Sequence, residues 1–183
     1  MKTTIHQTFA AFCSLFLLVS VSFAHGDEFT KPYVDSLVPS YLSLQKALAA
    51  DDLANAKNAA TNLNVAAMKG PKFEEFTDFV SKIITARDLN EARTAFVEVS
   101  AELITVIDHV GTTGGTTLFT AHCPMAFGGK GADWVQGDKK VMNPYFGGKM
   151  PHCGSINDQV AGKMSDKVDA KLPPGGQHAH GNP

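Results

Sequence analysis

Between Thr30 and Val110 the apolar residues return with a helical period four times, each run cut off by residues that end or start helices. No other feature narrows the fold as far. Val34, Leu37, Val38, Tyr41, Leu44 and Leu48 fall on one face at i, i+3, i+4, i+7 spacing. Pro39 lies inside this run, so a helix here kinks at the proline or starts there. Asp51-Asp52 breaks the pattern and caps an Ala-rich run carrying Leu53, Ala56, Ala60, Leu63 and Ala67. Alanine favours helix and lets neighbouring helices approach closely. Lys69-Gly70-Pro71 ends that run, Gly as terminator and Pro as barrier. A third run puts Phe73, Phe76, Phe79, Val80, Ile83 and Ile84 on one stripe. Asp88-Leu89-Asn90-Glu91 reads as a capping-box start for a fourth, with Leu89, Ala92, Phe96, Val99, Leu103, Ile107 and Val110 inward. Short connections favour antiparallel neighbours. The expected fold class is therefore all-α: an up-down antiparallel four-helix bundle followed by a C-terminal Gly/aromatic-rich loop hairpin. Each large side chain buried in such a bundle contributes roughly 1.5–3 kcal/mol.

The N-terminus points to export. Met1-Lys2 supplies positive charge, Phe9 to Phe23 is an apolar run, and Ser22-Phe23-Ala24 has the small-x-small form of a signal-peptidase site. The run is shorter than the ~20 residues of a spanning helix. The expected organisation is a signal peptide over 1–24, a domain over 25–156 and a C-terminal extension over 157–183. The setting is periplasmic, with no membrane association after cleavage. Cys13 leaves with the signal peptide, and His25 becomes the mature N-terminus, where amine and imidazole together can chelate Cu(II). A net charge of −2 with scattered basic residues gives no footprint for nucleic acid.

After the flexible turn Gly111 to Gly115, Thr116 to Thr120 is β-prone and runs straight into His122. Past Ile156 the pattern weakens. Gln159 to Lys171 reads as a short helix, and Pro173 to Pro183, with His178 and His180, as a solvated tail.

Two tetrapeptides carry the chemistry: His122-Cys123-Pro124-Met125 and Met150-Pro151-His152-Cys153, nearly reversed copies of one composition. Thiolate, thioether and imidazole suit a soft ion, above all Cu(I). Zn(II) accepts Cys and His, but Met is a poor zinc ligand, so the methionines tilt the choice to copper. The candidate ligands are Cys123, Met125, Met150 and Cys153, with His122 beside them. His152 is a weaker candidate. Adjacent strand residues point to opposite faces, which sets His122 against Cys123 as a co-ligand. The rival reading is equally simple. Two cysteines left in an exported chain are by default a disulfide, and the methionines are then packing. Trp134 reads as core. No carboxylate pair, nucleophile triad or phosphate loop is in place, and no enzyme is expected.

One resemblance is specific. Arg93-x-x-Phe96-x-x-x-Ser100, then His122-Cys123-Pro124-Met125-Ala126, Gly131-Ala132-x-Trp134, Asn143-Pro144-Tyr145-Phe146-Gly147 and Met150-x-x-Cys153-Gly154 follow one order. That order resembles a bacterial family of exported helical domains of unassigned function. These domains are found alone or fused to membrane-fusion subunits of copper and heavy-metal efflux pumps. The likeness covers about Tyr33 to Ser155. It implies a periplasmic setting, a link to copper handling and a pump membrane-fusion subunit as partner. The matching positions are Cys123, Met125, Met150 and Cys153, with His122 in pattern. No pump-adaptor domain follows Gly154 here; a short extension does. Two functions follow: a periplasmic Cu(I)-binding protein that buffers or hands on the ion, or a disulfide-stapled interaction module without metal.

Overall fold

The computed structural model describes residues 29–161. The signal peptide, His25, and the tail with His178 and His180 lie outside the described residues. Four helices come first: α1 (Lys31–Ala49), α2 (Leu53–Ala67), α3 (Glu74–Thr85) and α4 (Leu89–Val110). Local chemistry sets their starts. Thr30, Asp52 and Asp88 each accept the backbone N–H three residues on, satisfying a donor that a helix start leaves free. Glu91 reaches back to the N–H of Arg87 at 2.8 Å, so the box closes one residue ahead of Asp88. α1 does not start at Pro39 but runs through it. The lost N–H is offset by the apolar face on both sides, where Leu37, Tyr41, Leu44 and Leu48 are fully buried.

Successive helices pack side by side, and α4 returns against α1. Leu63, Phe76, Ile83, Phe96, Val99 and Leu103 complete the core between them, none exposed.

Beyond Val110 the all-α expectation fails. β1 (Leu118–Cys123), β2 (Ala132–Gln136) and β3 (Ser155–Ala161) form an antiparallel sheet in the order β2-β1-β3. A short turn, α5 (Ala126–Gly129), with Phe127 and Gly128 at left-handed φ of 51° and 72°, links β1 to β2, and a 3-10 turn covers Gly147–Lys149. The fold is mixed, four helices with a three-stranded sheet, and not an all-α bundle with a loop hairpin. The reason lies in the strands. β2 is short and fenced by glycines, and β3 is an edge strand exposed at most positions. Backbone pairing holds β3 to β1, with no apolar alternation to betray it. Gln159–Ala161, expected to open a helix, instead ends β3; the rest of that segment lies outside the described residues.

Paired residues of neighbouring strands share a face. His122 pairs with Asp133 and Thr120 with Val135, whereas Cys123 pairs with Ala132 and Ala121 with Trp134. Thr120 and Asp133 line a groove with Val97, Ala101 and Ile104, so that face turns toward α4. Trp134 and Gln136 lie on the other face, where Gln136 bonds three backbone atoms of the segment from Asp138 to Met142 and, as a fourth partner, Trp134. The Gln136 amide donates to the carbonyls of Asp138 and Lys140, and its oxygen accepts from the Trp134 indole and the Met142 N–H. The Thr120 face of the sheet thus turns toward α4, and the opposite face is covered by a loop that itself bonds α1 and α4 through Gln45 and Arg93. Cys123 lies on the covered face.

Candidate functional site

Cys123 ends β1 and is fully buried; Cys153 is partly exposed, just ahead of β3. The strand register brings them together. His122 pairs with Ser155, so the antiparallel ladder carries the next residue of β1 toward Gly154 and Cys153. Gly154 makes the approach feasible. Its φ is 125°, and a Cβ there would lie 2.5 Å from the His122 carbonyl oxygen. Both cysteines are free thiols, and Cys123 donates to the Cys153 sulfur across 3.3 Å.

The backbone of Cys153 is pinned from two sides. Its N–H donates to the Met150 carbonyl at 3.2 Å, closing a tight turn over Met150-Pro151-His152-Cys153. Its carbonyl accepts from Asn143 Nδ2 at 2.7 Å. Asn143 is itself unexposed, and its Oδ1 accepts the N–H groups of Tyr145 and Phe146 at 2.8 and 3.1 Å. One buried amide therefore joins the aromatic segment to the second cysteine. The hydrogen bond with Cys123, then burial, hold the Cys153 thiol above its ordinary pKa. It is protonated at neutral pH, and an arriving soft ion would displace the proton.

The other candidates are placed unevenly. Met125 is exposed, at 56%, in the turn leaving Cys123. Met150 is half-buried, in the same turn as Cys153. His122 points from the opposite face of β1, and its Nδ1 lies 2.8 Å from Asp133 Oδ1. That bond places the lone pair on Nε2, the arrangement of many metal-binding histidines, but the strand carries the ring away from the thiols. His152 is exposed, with Nδ1 donating to the Val141 carbonyl at 2.8 Å. Among the described residues no three His, Cys, Asp or Glu side chains gather to hold a metal. A metal centre here would rest on two thiolates and methionine sulfur. With metal–sulfur bonds near 2.3 Å, tetrahedral ligation sets the sulfurs about 3.8 Å apart. The 3.3 Å pair must open by roughly half an ångström. Two thiols in contact, one of them partly exposed, are a donor pair of the kind a soft ion accepts.

Arg93 and Asn143, known before only as letters of a pattern, are what holds the site in place. Arg93 projects from α4 and donates to the carbonyls of Pro144 at 2.8 Å and Leu48 at 2.7 Å, and to the Asp51 carboxylate. Asn-Pro is a turn-forming pair in general. Nothing in the sequence said which carbonyls it would serve.

The fold and site define a class: a helical layer carrying a small antiparallel sheet whose end holds a dithiol. A family model described as a protein of unknown function (DUF3347) matches residues 37–115, from within α1 to the turn after α4. Over that span the chain is similar to an unassigned domain family, and the match ends ahead of both tetrapeptides. No curated protein and no solved structure matches the chain.

Proposed function

We propose that the protein binds a soft monovalent ion, Cu(I), through Cys123 and Cys153 with Met125 and Met150 completing the ligand set. In the periplasm it buffers the ion or hands it to the membrane-fusion subunit of an efflux pump. The carrying observation is the pair of free thiols 3.3 Å apart, one partly exposed, in turns that also hold Met125 and Met150. The N-terminal signal pattern supports the compartment. The likeness of the tetrapeptide and Asn-Pro-Tyr-Phe-Gly blocks to pump-associated domains supports the partner. Among the described residues no helix is long and apolar enough to cross a membrane.

The test is a competition titration of reduced protein against a Cu(I) chelator, with Met125→Leu and Met150→Leu beside it. Each swap nearly conserves volume and should cost under about 1.5 kcal/mol of stability. Each should lower Cu(I) affinity by at least about tenfold through loss of a soft ligand. Unchanged affinity in both would return the methionines to packing.

One observation favours the second reading, a disulfide-stapled module. Cys123 has no exposure and its thiol already touches Cys153. If the staple is the working state, protein isolated without reductant contains no titratable thiol, and reduction lowers the melting temperature by roughly 10 °C.

A further inference from the structure

The two thiols are in contact but unequal, and the inequality has a chemical consequence. Cys123 is at 0% exposure, closed in between Ala121, Ala132 and Trp134 on the covered face of the sheet. Cys153 is partly exposed and stands in the turn outside the sheet, its backbone tied to Met150 and Asn143 while its side chain meets both solvent and Cys123. An incoming reagent can reach one sulfur and not the other. We propose that Cys153 is the entry point for thiol–disulfide exchange with a small-molecule disulfide, and that Cys123 is the resolving thiol.

The steps balance. The Cys153 thiol gives its proton to water, and its thiolate attacks one sulfur of RSSR. A Cys153–SR mixed disulfide forms, and RS⁻ leaves. Cys123, 3.3 Å from that sulfur, then loses its proton and attacks the Cys153 sulfur, expelling the second RS⁻. The protein dithiol is oxidised by two electrons to the Cys123–Cys153 disulfide. The small disulfide is reduced to two thiols, which take up the two protons. Exchange of this kind follows the accessibility of the attacking thiol as well as its acidity. Burial of Cys123 therefore dictates the order. The assignment uses the same two sulfurs as the copper reading but does not depend on it. If copper does bind there, closing the disulfide withdraws both thiolates from the ion.

The experiment uses the reduced, metal-free chain from His25 on, whose cysteines are Cys123 and Cys153, and glutathione disulfide as the probe, read by intact mass and peptide mapping. The wild type should pass through an adduct on Cys153 to the internal disulfide. Cys123→Ser should stop at the Cys153 adduct. Cys153→Ser should react at least about tenfold more slowly, because its remaining thiol is buried. A brief pulse of iodoacetamide on the reduced wild type guards against misfolded variants, and should label Cys153 ahead of Cys123. Equal labelling of the two, an adduct on Cys123 first, or a wild-type adduct that never closes would overturn the proposal. No copper is present, so those outcomes leave the copper reading standing. A lost Cu(I) affinity with the exchange order intact would sink copper alone.

Discussion

The helical layer and the loop that covers the Trp134 face of the sheet are held by different forces. Between the helices the contacts are apolar and spread over four elements, with Leu44, Leu63, Phe76, Val99 and Leu103 all fully buried. Within that layer the Tyr41 hydroxyl meets Ser100 at 2.8 Å, and the same hydroxyl accepts the Val135 N–H, reaching out to the sheet. The covering loop has few large apolar side chains of its own. It hangs instead from side chain–backbone bonds: Gln136 to Lys140, Gln45 to Met142 at 2.6 Å, Arg93 to Pro144, Asn143 to Cys153. Losing one apolar member costs its transfer and cavity energy but strands no polar group, whereas a lost polar clamp leaves each partner it abandons with its full desolvation cost. The site belongs to the second kind of structure. Its geometry depends on a handful of amides and one guanidinium.

The largest expected effect falls where the two kinds meet. The Phe96 ring stacks on Tyr41 at 5.3 Å from the helical side and meets Tyr145 of the loop at 6.0 Å. Phe96→Ala should destabilise the protein by about 3–5 kcal/mol, with helical ellipticity and Trp134 fluorescence lost in one denaturant transition. A cost under about 1 kcal/mol would mean that loop and bundle are not joined through this ring. Next in size is Asn143→Ala. Removing the amide leaves the Cys153 carbonyl and two N–H groups without their partner, a cost of about 2–4 kcal/mol. Alkylation of Cys123 should speed up while the helical signal at rest is unchanged. If Cys123 stays protected, something other than Asn143 holds the cover closed.

The same contrast explains what could be read from the sequence. Helices α1 to α4 announce themselves because each buries one stripe, and the stripe's period is written in residues such as Phe76, Val80 and Ile83. Their caps, Asp52 and Asp88, were equally plain. The sheet was not, apart from the β-prone start of β1. β3 runs Ser155, Ile156, Asn157, Asp158, Gln159, and its partner is chosen by backbone register. The site was half legible. The residue types and the turns around Cys123 and Cys153 pointed to one place, and the chain does bring those thiols together. Alternation on β1 sets His122 and Cys123 on opposite faces, as their pairing with Asp133 and Ala132 shows. The clamps stayed hidden because a buried Asn or Arg advertises no periodicity. Gln45 is fully buried in the apolar stripe of α1, and it serves the Met142 carbonyl.

The smallest effect tests a clamp of the loop that titrates. Asp51 sits at φ 59° in the turn between α1 and α2, where its carboxylate accepts from the Arg93 guanidinium and from the Gly148 N–H at 2.8 Å. Gly147 beside it has φ 55°, and a Cβ there would collide with Asp51 and Arg93, so the loop can reach the carboxylate only through glycine. The Arg93 hydrogen bond first, and the Gly148 N–H second, hold the Asp51 carboxyl below its ordinary pKa. A carboxyl whose folded pKa is depressed contributes stability that is fully present above the unfolded value, about 3.9, and lost as pH falls through the folded value. The acid side is therefore where Asp51 is felt. Its carboxylate is 44% exposed, so solvent screens the pair, and Asp51→Asn should cost under about 1 kcal/mol at neutral pH. Below about pH 4 the wild type should lose stability more steeply than the variant, and the two curves should converge as Asp51 protonates. Arg93→Met should flatten the same acid limb while leaving the neutral variant weaker, since it also abandons the Leu48 and Pro144 carbonyls. Parallel acid limbs for wild type and Asp51→Asn in pH-dependent urea melts would show that Arg93 holds the loop through those carbonyls alone, with the carboxylate a bystander.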